Sequence, residues 1–111
     1  MLNNKDHCDY ETCVALMDLG YDDSTDLRYN SYGSLGDFLG GIKAPSLYEA
    51  QKFLREKHNL HLEITYSPSC WTGKIYDLKE WDYIKGFTFF ESFEDALHTL
   101  IKEAVKILKE K

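Results

Sequence analysis

Three cysteines and four histidines are the side chains here whose chemistry could go beyond surface charge, so their spacing matters first. His7, Cys8 and Cys13 are soft metal ligands by type. They include no Cys-x-x-Cys pair and have no matching second half, so a four-ligand site would be incomplete. Cys13 is accounted for as a small apolar residue on a helix. Cys70 with His61 has the composition of a nucleophile and its base. The register of the hairpin that carries them sets them far apart, His61 on the strand face opposite Trp71, so the pair does not meet. His58 and His98 fall on helices with no evident partner and read as surface residues. The chain contains no nucleophile elbow, phosphate loop, dinucleotide fingerprint or zinc-protease motif. The expectation is no catalytic residue, no metal and no cofactor.

Aromatic residues are the more informative group, with eight Tyr, six Phe and two Trp making 14% of the chain. Tyr29 and Tyr32 lie in a polar, glycine-punctuated segment where nothing is evident for them to pack on. Trp81 and Tyr83 flank Asp82 in a charged stretch, where large aromatics either mark a binding surface or cover an open end of the core. These four residues are the candidate interaction surface.

The elements that must position them are legible from caps and periodicity. A first helix is predicted over residues 10–19. Asp9 is its N-cap, with Thr12 the backbone donor; Cys13, Leu16 and Met17 share one face, and Gly20 ends it. Residues 21–44 carry no regular pattern and read as a long acidic loop, either a binding segment or a poorly ordered connection. Leu35, Phe38, Leu39 and Ile42 have helical spacing, enough for one short turn. Pro45, Ser46 and Glu49 then open a second helix with a capping box, which Asn59 closes. Leu60, Leu62, Ile64 and Tyr66 alternate with His61, Glu63 and Thr65 as a strand does. A turn at residues 67–70 sets Tyr66 opposite Trp71, Ile64 opposite Gly73, Leu62 opposite Ile75 and Glu63 opposite Lys74. A third strand is predicted over residues 86–91, after a loop at 78–85, with Phe87 and Phe89 on one face and Thr88 and Phe90 on the other. Ser92 caps a long last helix whose apolar stripe runs from Phe93 through Leu100 and Ile101 to Leu108. Its acids cluster at the start and Lys106, Lys109 and Lys111 at the end, matching the helix dipole.

The fold class expected is therefore α+β and two-layer. A helix–three antiparallel strands–helix core (α-β-β-β-α) occupies residues 45–111, and an additional N-terminal helix occupies residues 1–20. The loop at 21–44 joins them, and residues 1–111 form one domain. The order of the core elements is shared with the double-stranded RNA-binding module, which grips phosphate with a basic start to its last helix. Here that start is Ser92-Phe93-Glu94-Asp95, which repels phosphate. The chain's net charge of −6 also opposes nucleic acid. Residues 1–45 hold eight acids against three bases, so most of the acidity sits in the first third. That surface either meets a basic partner or only keeps the chain soluble. No run of apolar residues is long enough to span a membrane, and the polar start is not a signal peptide. An odd number of cysteines without framework spacing favours reduced thiols in a cytoplasmic protein.

The run Ala44-Pro45-Ser46-Leu47-Tyr48-Glu49-Ala50, then Phe53-Leu54-Arg55-Glu56-Lys57-His58-Asn59, and later Phe90-Glu91-Ser92-Phe93-Glu94-Asp95-Ala96-Leu97, resembles a group of short uncharacterised proteins of gut anaerobic bacteria and their phages. The resemblance extends to the Cys8–Cys13 helix ending in Leu19-Gly20-Tyr21, while residues 21–44 depart from it. Caps and core positions carry it, so it implies a fold and no activity. The function expected from the residues is a non-catalytic interaction module, binding a protein partner or a second copy of itself through the acidic loop and exposed aromatics. The alternative is a small enzyme or ligand-binding protein with a pocket between the 21–44 loop and the sheet.

Overall fold

A computed structural model describes residues 6–23, 25, 27–38 and 40–110. Its elements run α1 (Tyr10–Asp18), β1 (Arg28–Tyr29), β2 (Leu35–Gly36), β3 (Ile42–Lys43), α2 (Leu47–His58), β4 (Leu60–Ser67), β5 (Cys70–Asp77), β6 (Asp82–Phe90) and α3 (Phe93–Lys109). The class is α+β, and the expected order helix, three strands, helix holds from α2 to α3. The difference is a second antiparallel sheet, β2-β1-β3, beside the main sheet β4-β5-β6. The 21–44 segment is thus not an unstructured loop, and the helical turn expected from Leu35 to Ile42 does not form. Leu35 is in β2 and Ile42 in β3. Leu39 and Lys111 lie outside the described residues.

Each helix starts where its side chains can satisfy orphan backbone donors. Asp9 Oδ1 accepts from Thr12 N at 2.8 Å, and Cys8 and Cys13 flank that cap as the N′ and N4 positions of an apolar staple. At its other end Gly20, with φ of +100°, lets Tyr21 N reach Leu16 O at 2.9 Å and Gly20 N reach Met17 O at 3.0 Å. The Ser46–Glu49 box on α2 is reciprocal, at 3.1 and 2.9 Å. Asn59 closes α2 in the left-handed conformation with φ of 58°. Ser92 Oγ caps α3 through Asp95 N at 3.1 Å.

Burial pushes the Asp9 carboxyl up, but Lys102 Nζ at 2.7 Å and the Thr12 N–H outweigh it, and its pKa falls below the usual carboxylate value. A depressed carboxylate contributes stability above its unfolded pKa near 3.9, and that contribution is lost as pH falls through the folded pKa. Asp9→Asn keeps the cap and removes the charge. Wild type is expected to be more stable than this variant at pH 6–7, with the difference shrinking as pH falls through the depressed pKa of Asp9. Urea melts of both across pH 3–7 check this, and a difference that does not shrink in acid contradicts it.

The β4–β5 hairpin takes the predicted register at every pair, from Leu60↔Asp77 through Glu63↔Lys74 to Tyr66↔Trp71. β6 begins earlier than expected, at Asp82. It carries two bulges, because Trp71 pairs with Phe90 while Gly73 pairs with Phe87, and Ile75 pairs with Lys85 while Tyr76 pairs with Tyr83. Each extra residue reverses the inward–outward parity of the strand beyond it. Phe87 and Phe90 therefore share the inner face, rings 6.4 Å apart, and Phe89 is left outside. The expected pairing of Phe87 with Phe89 is corrected by that bulge.

α3 crosses the inner face of β4 and β5, burying Ala96, Leu97, Leu100, Ile101, Ala104 and Val105. Gly73 lies under Leu100, where a methyl group would come within 2.9–3.0 Å of the leucine branch. α2 lines the β4 edge, and Gln51 Nε2 donates to Leu62 O at 2.9 Å. Cys8, Cys13, Leu16, Tyr21 and Tyr29 join the same core as Leu54, Leu62 and Ile75, so α1 is built in rather than appended. Met17, expected to be buried, is exposed, and Thr12 is buried instead. His58, expected at the surface without a partner, donates from Nε2 to Leu19 O at 3.0 Å and meets Phe53 edge-on.

Candidate functional site

The four aromatics singled out from the sequence separate in space. Tyr29 is 5% exposed, with its hydroxyl donating to Cys8 O at 2.7 Å and its ring edge-on to Tyr10. Desolvation, with Cys13 and Asp9 nearby, pushes its phenol up to about 12. It is a core residue and, contrary to the expectation, presents no interaction surface. β1 gives it that position because successive residues face opposite sides of a strand, so Tyr29 enters the core and half-buried Arg28 faces the other way. Tyr29→Phe removes one buried hydrogen bond and is expected to cost about 1 kcal/mol in urea unfolding. An unchanged midpoint contradicts that.

Tyr32 is 91% exposed at the tip of the β1–β2 turn, where Asn30 Oδ1 accepts from both Tyr32 N and Ser34 N at 2.9 Å. It stands alone there. Trp81 and Tyr83 belong to the β5–β6 hairpin. Asp77 Oδ1 accepts from Lys79 N at 2.9 Å and starts the turn, and Trp81 ends it at φ of 59° and 85% exposure. Tyr83 lies in β6 rather than in a loop. It is 57% exposed and edge-on to Tyr76 at 5.8 Å, its hydroxyl lying over Gly86, where an added methyl would push it aside.

Phe89 joins this group and was not singled out from the sequence. It is 82% exposed at φ of 67° in the second bulge. The available signal was the run Phe87-Thr88-Phe89-Phe90, since three phenylalanines so close on one strand cannot all face inward. Trp81, Tyr83 and Phe89 thus mark β6 along its length, roughly 25 Å at the usual rise per residue. β6 is the edge of its sheet opposite β4, and no strand among the described residues pairs with its outer side. Trp71, by contrast, turns inward between Tyr66 and Phe93 and takes no part in this group.

Cys70 and His61 are separated, as expected. Cys70 pairs with Ser67 at the hairpin turn and His61 with Tyr76 near the other end. The Ser67 hydroxyl, 3.4 Å from Cys70 Sγ, and the Phe89 backbone hold that thiol below its ordinary pKa. A hydrogen bond with Cys13, then burial, pushes the Cys8 thiol well up, making it inert. Among the described residues no group of three or more His, Cys, Asp or Glu is placed to hold a metal ion. No helix among them is long and apolar enough to cross a membrane.

No protein-family model, curated protein or solved structure matches the chain.

Proposed function

We propose that the protein is a non-catalytic interaction module that binds a protein partner along β6, with Trp81, Tyr83 and Phe89 as its anchors. One observation carries this: two bulky aromatics, Trp81 and Phe89, are held in left-handed backbone and exposed at 85% and 82%. Left-handed backbone costs a non-glycine residue roughly 1–2 kcal/mol. Neither side chain recovers that by packing within its own domain. Backbone strain together with exposed aromatic area is typical of a surface shaped for contact rather than for stability. The two bulges twist the β6 edge and disfavour simple strand addition by a second copy, so a different protein is the expected occupant.

The test uses the intact chain as bait in a lysate of its native host, beside the double variant Trp81→Ala/Phe89→Ala and a Tyr32→Ala control. Wild type and the Tyr32 variant are expected to capture the same partner, which the double variant loses while keeping its circular dichroism spectrum. Retention of every partner by the double variant overturns the proposal. A wild-type dimer by light scattering that the same substitutions dissolve would replace the foreign partner with a second copy.

A further inference from the structure

A different part of the molecule carries a ligand site that does not depend on the aromatic line. Arg28 on β1 and Lys43 on β3 are register partners in the small sheet. They are two of only three bases in the first 45 residues, against eight acids. Both line a cavity of about 140 Å³ between α1 and that sheet, together with Tyr21, Asp22, Cys13 and Gly41. One water needs about 10–15 Å³, so the cavity has room for a polyatomic ion. Gly41, at φ of +96°, forms its wall where the Tyr29 carbonyl leaves no room for a side chain.

Tyr21 supplies the second, independent observation. Its side chain is 5% exposed, edge-on to Phe53, and its hydroxyl is buried with no hydrogen-bond partner among the described residues. A buried polar group left unpaired is costly, and such groups in native folds call for an explanation. Desolvation and the nearby Glu49 and Asp23 carboxylates raise this phenol above its ordinary range, so it remains an O–H donor at neutral pH. Tyr21 also borders a wider depression on α2 with Asp23, Glu49, Lys52, Glu56 and Lys57, where three carboxylates outnumber two ammonium groups and disfavour an anion. On the Arg28 side the balance is reversed. There the carboxylate is Asp22, almost fully exposed and 3.4 Å from Lys43 Nζ, which also donates to Asp22 O at 2.7 Å.

We propose that this cavity binds a small oxyanion, its charge met by the Arg28 guanidinium and Lys43 ammonium and one oxygen accepting from the Tyr21 hydroxyl. A planar guanidinium, a point ammonium and a neutral donor are the set that recognises phosphate or carboxylate groups. The site adds a ligand to the pocket alternative read from the sequence, but against α1 rather than against the main sheet.

Amide chemical shifts under titration test it, with inorganic phosphate and acetate in separate arms and sodium chloride as the ionic-strength control. One oxyanion is expected to shift the amides of Arg28, Gly41 and Lys43 saturably, and which one does so identifies a phosphate or a carboxylate ligand. Arg28→Gln and Lys43→Gln are each expected to weaken binding about tenfold or more. Tyr21→Phe is expected to weaken it severalfold while leaving the melting temperature of the free protein unchanged or higher, since the lost hydroxyl has no partner among the described residues. Shifts that track chloride equally, or saturable binding that survives both cation substitutions, overturn the proposal. Because these probes do not involve β6, their failure leaves the aromatic interface standing, and the converse also holds.

Discussion

Leu100→Ala is expected to destabilise the domain by about 2–5 kcal/mol, and a second substitution, Gly73→Ala, to restore part of that loss. Leu100 is fully buried on α3 against the middle of the sheet, where the helix approaches closely because Gly73 presents no side chain. Truncating the leucine removes its transfer free energy and leaves a cavity that rigid neighbours only partly close. Against a total stability of about 5–15 kcal/mol, this is a large fraction. Gly73→Ala alone should also destabilise, by about 1–3 kcal/mol, because the new methyl overlaps Leu100 Cγ and both Cδ atoms. Those three atoms are the ones that Leu100→Ala removes. In the double variant the overlap is gone and the methyl fills part of the cavity, so the two costs do not add. Urea melts of the four proteins are expected to show about 1 kcal/mol or more of favourable coupling. Additive losses would mean that the sheet and α3 do not meet as described.

Trp81→Gly is expected to act in opposite directions on stability and on binding. Glycine adopts the left-handed conformation of this turn freely, whereas tryptophan adopts it at a cost. The exposed indole gives up little packing when it leaves, so the variant should melt at the same temperature or a few degrees higher. Partner affinity should fall about thirtyfold or more, since a central aromatic anchor contributes about 2 kcal/mol or more. Calorimetric melting and titration against the captured partner measure both. If Trp81→Gly lowers stability by more than about 1 kcal/mol, the indole is packed in solution and the proposed surface is wrong.

The parts of the fold readable in advance were those fixed by neighbours in sequence. Thr12 sits three residues from Asp9, Glu49 three from Ser46 and Asp95 three from Ser92, so each cap closes within one helical turn. The β4–β5 pairing comes from a short turn and period-two alternation, which leave one register that buries Leu62 and Ile75 while matching Glu63 with Lys74. The aromatic site was half readable. Trp81 and Tyr83 stand out by type and charged surroundings, but Phe89 faces out only because a bulge opposite Thr72 breaks the alternation. The Phe87-Thr88-Phe89-Phe90 run shows that not every phenylalanine can face inward, but not which one is turned out.

Tyr29 shows the opposite failure. Its neighbours in the chain are polar, so it read as unpacked, whereas its partners Cys8 and Tyr10 lie about twenty residues away. The two-residue strands around it are too short to carry a periodic signal. Ala44 N bonding to Leu27 O at 3.0 Å, Cys8 N bonding to Pro45 O at 3.1 Å and the tight approach at Gly41 hold them in place. The cavity of Arg28, Lys43 and Tyr21 exists for the same reason, since those residues meet only when the small sheet closes on α1. The helices and the hairpin register follow from interactions spanning a few residues, and the acidic character follows from composition. Which aromatics are exposed and where two cations converge emerge only in three dimensions, because burial and bulge parity depend on surfaces brought together from distant parts of the chain.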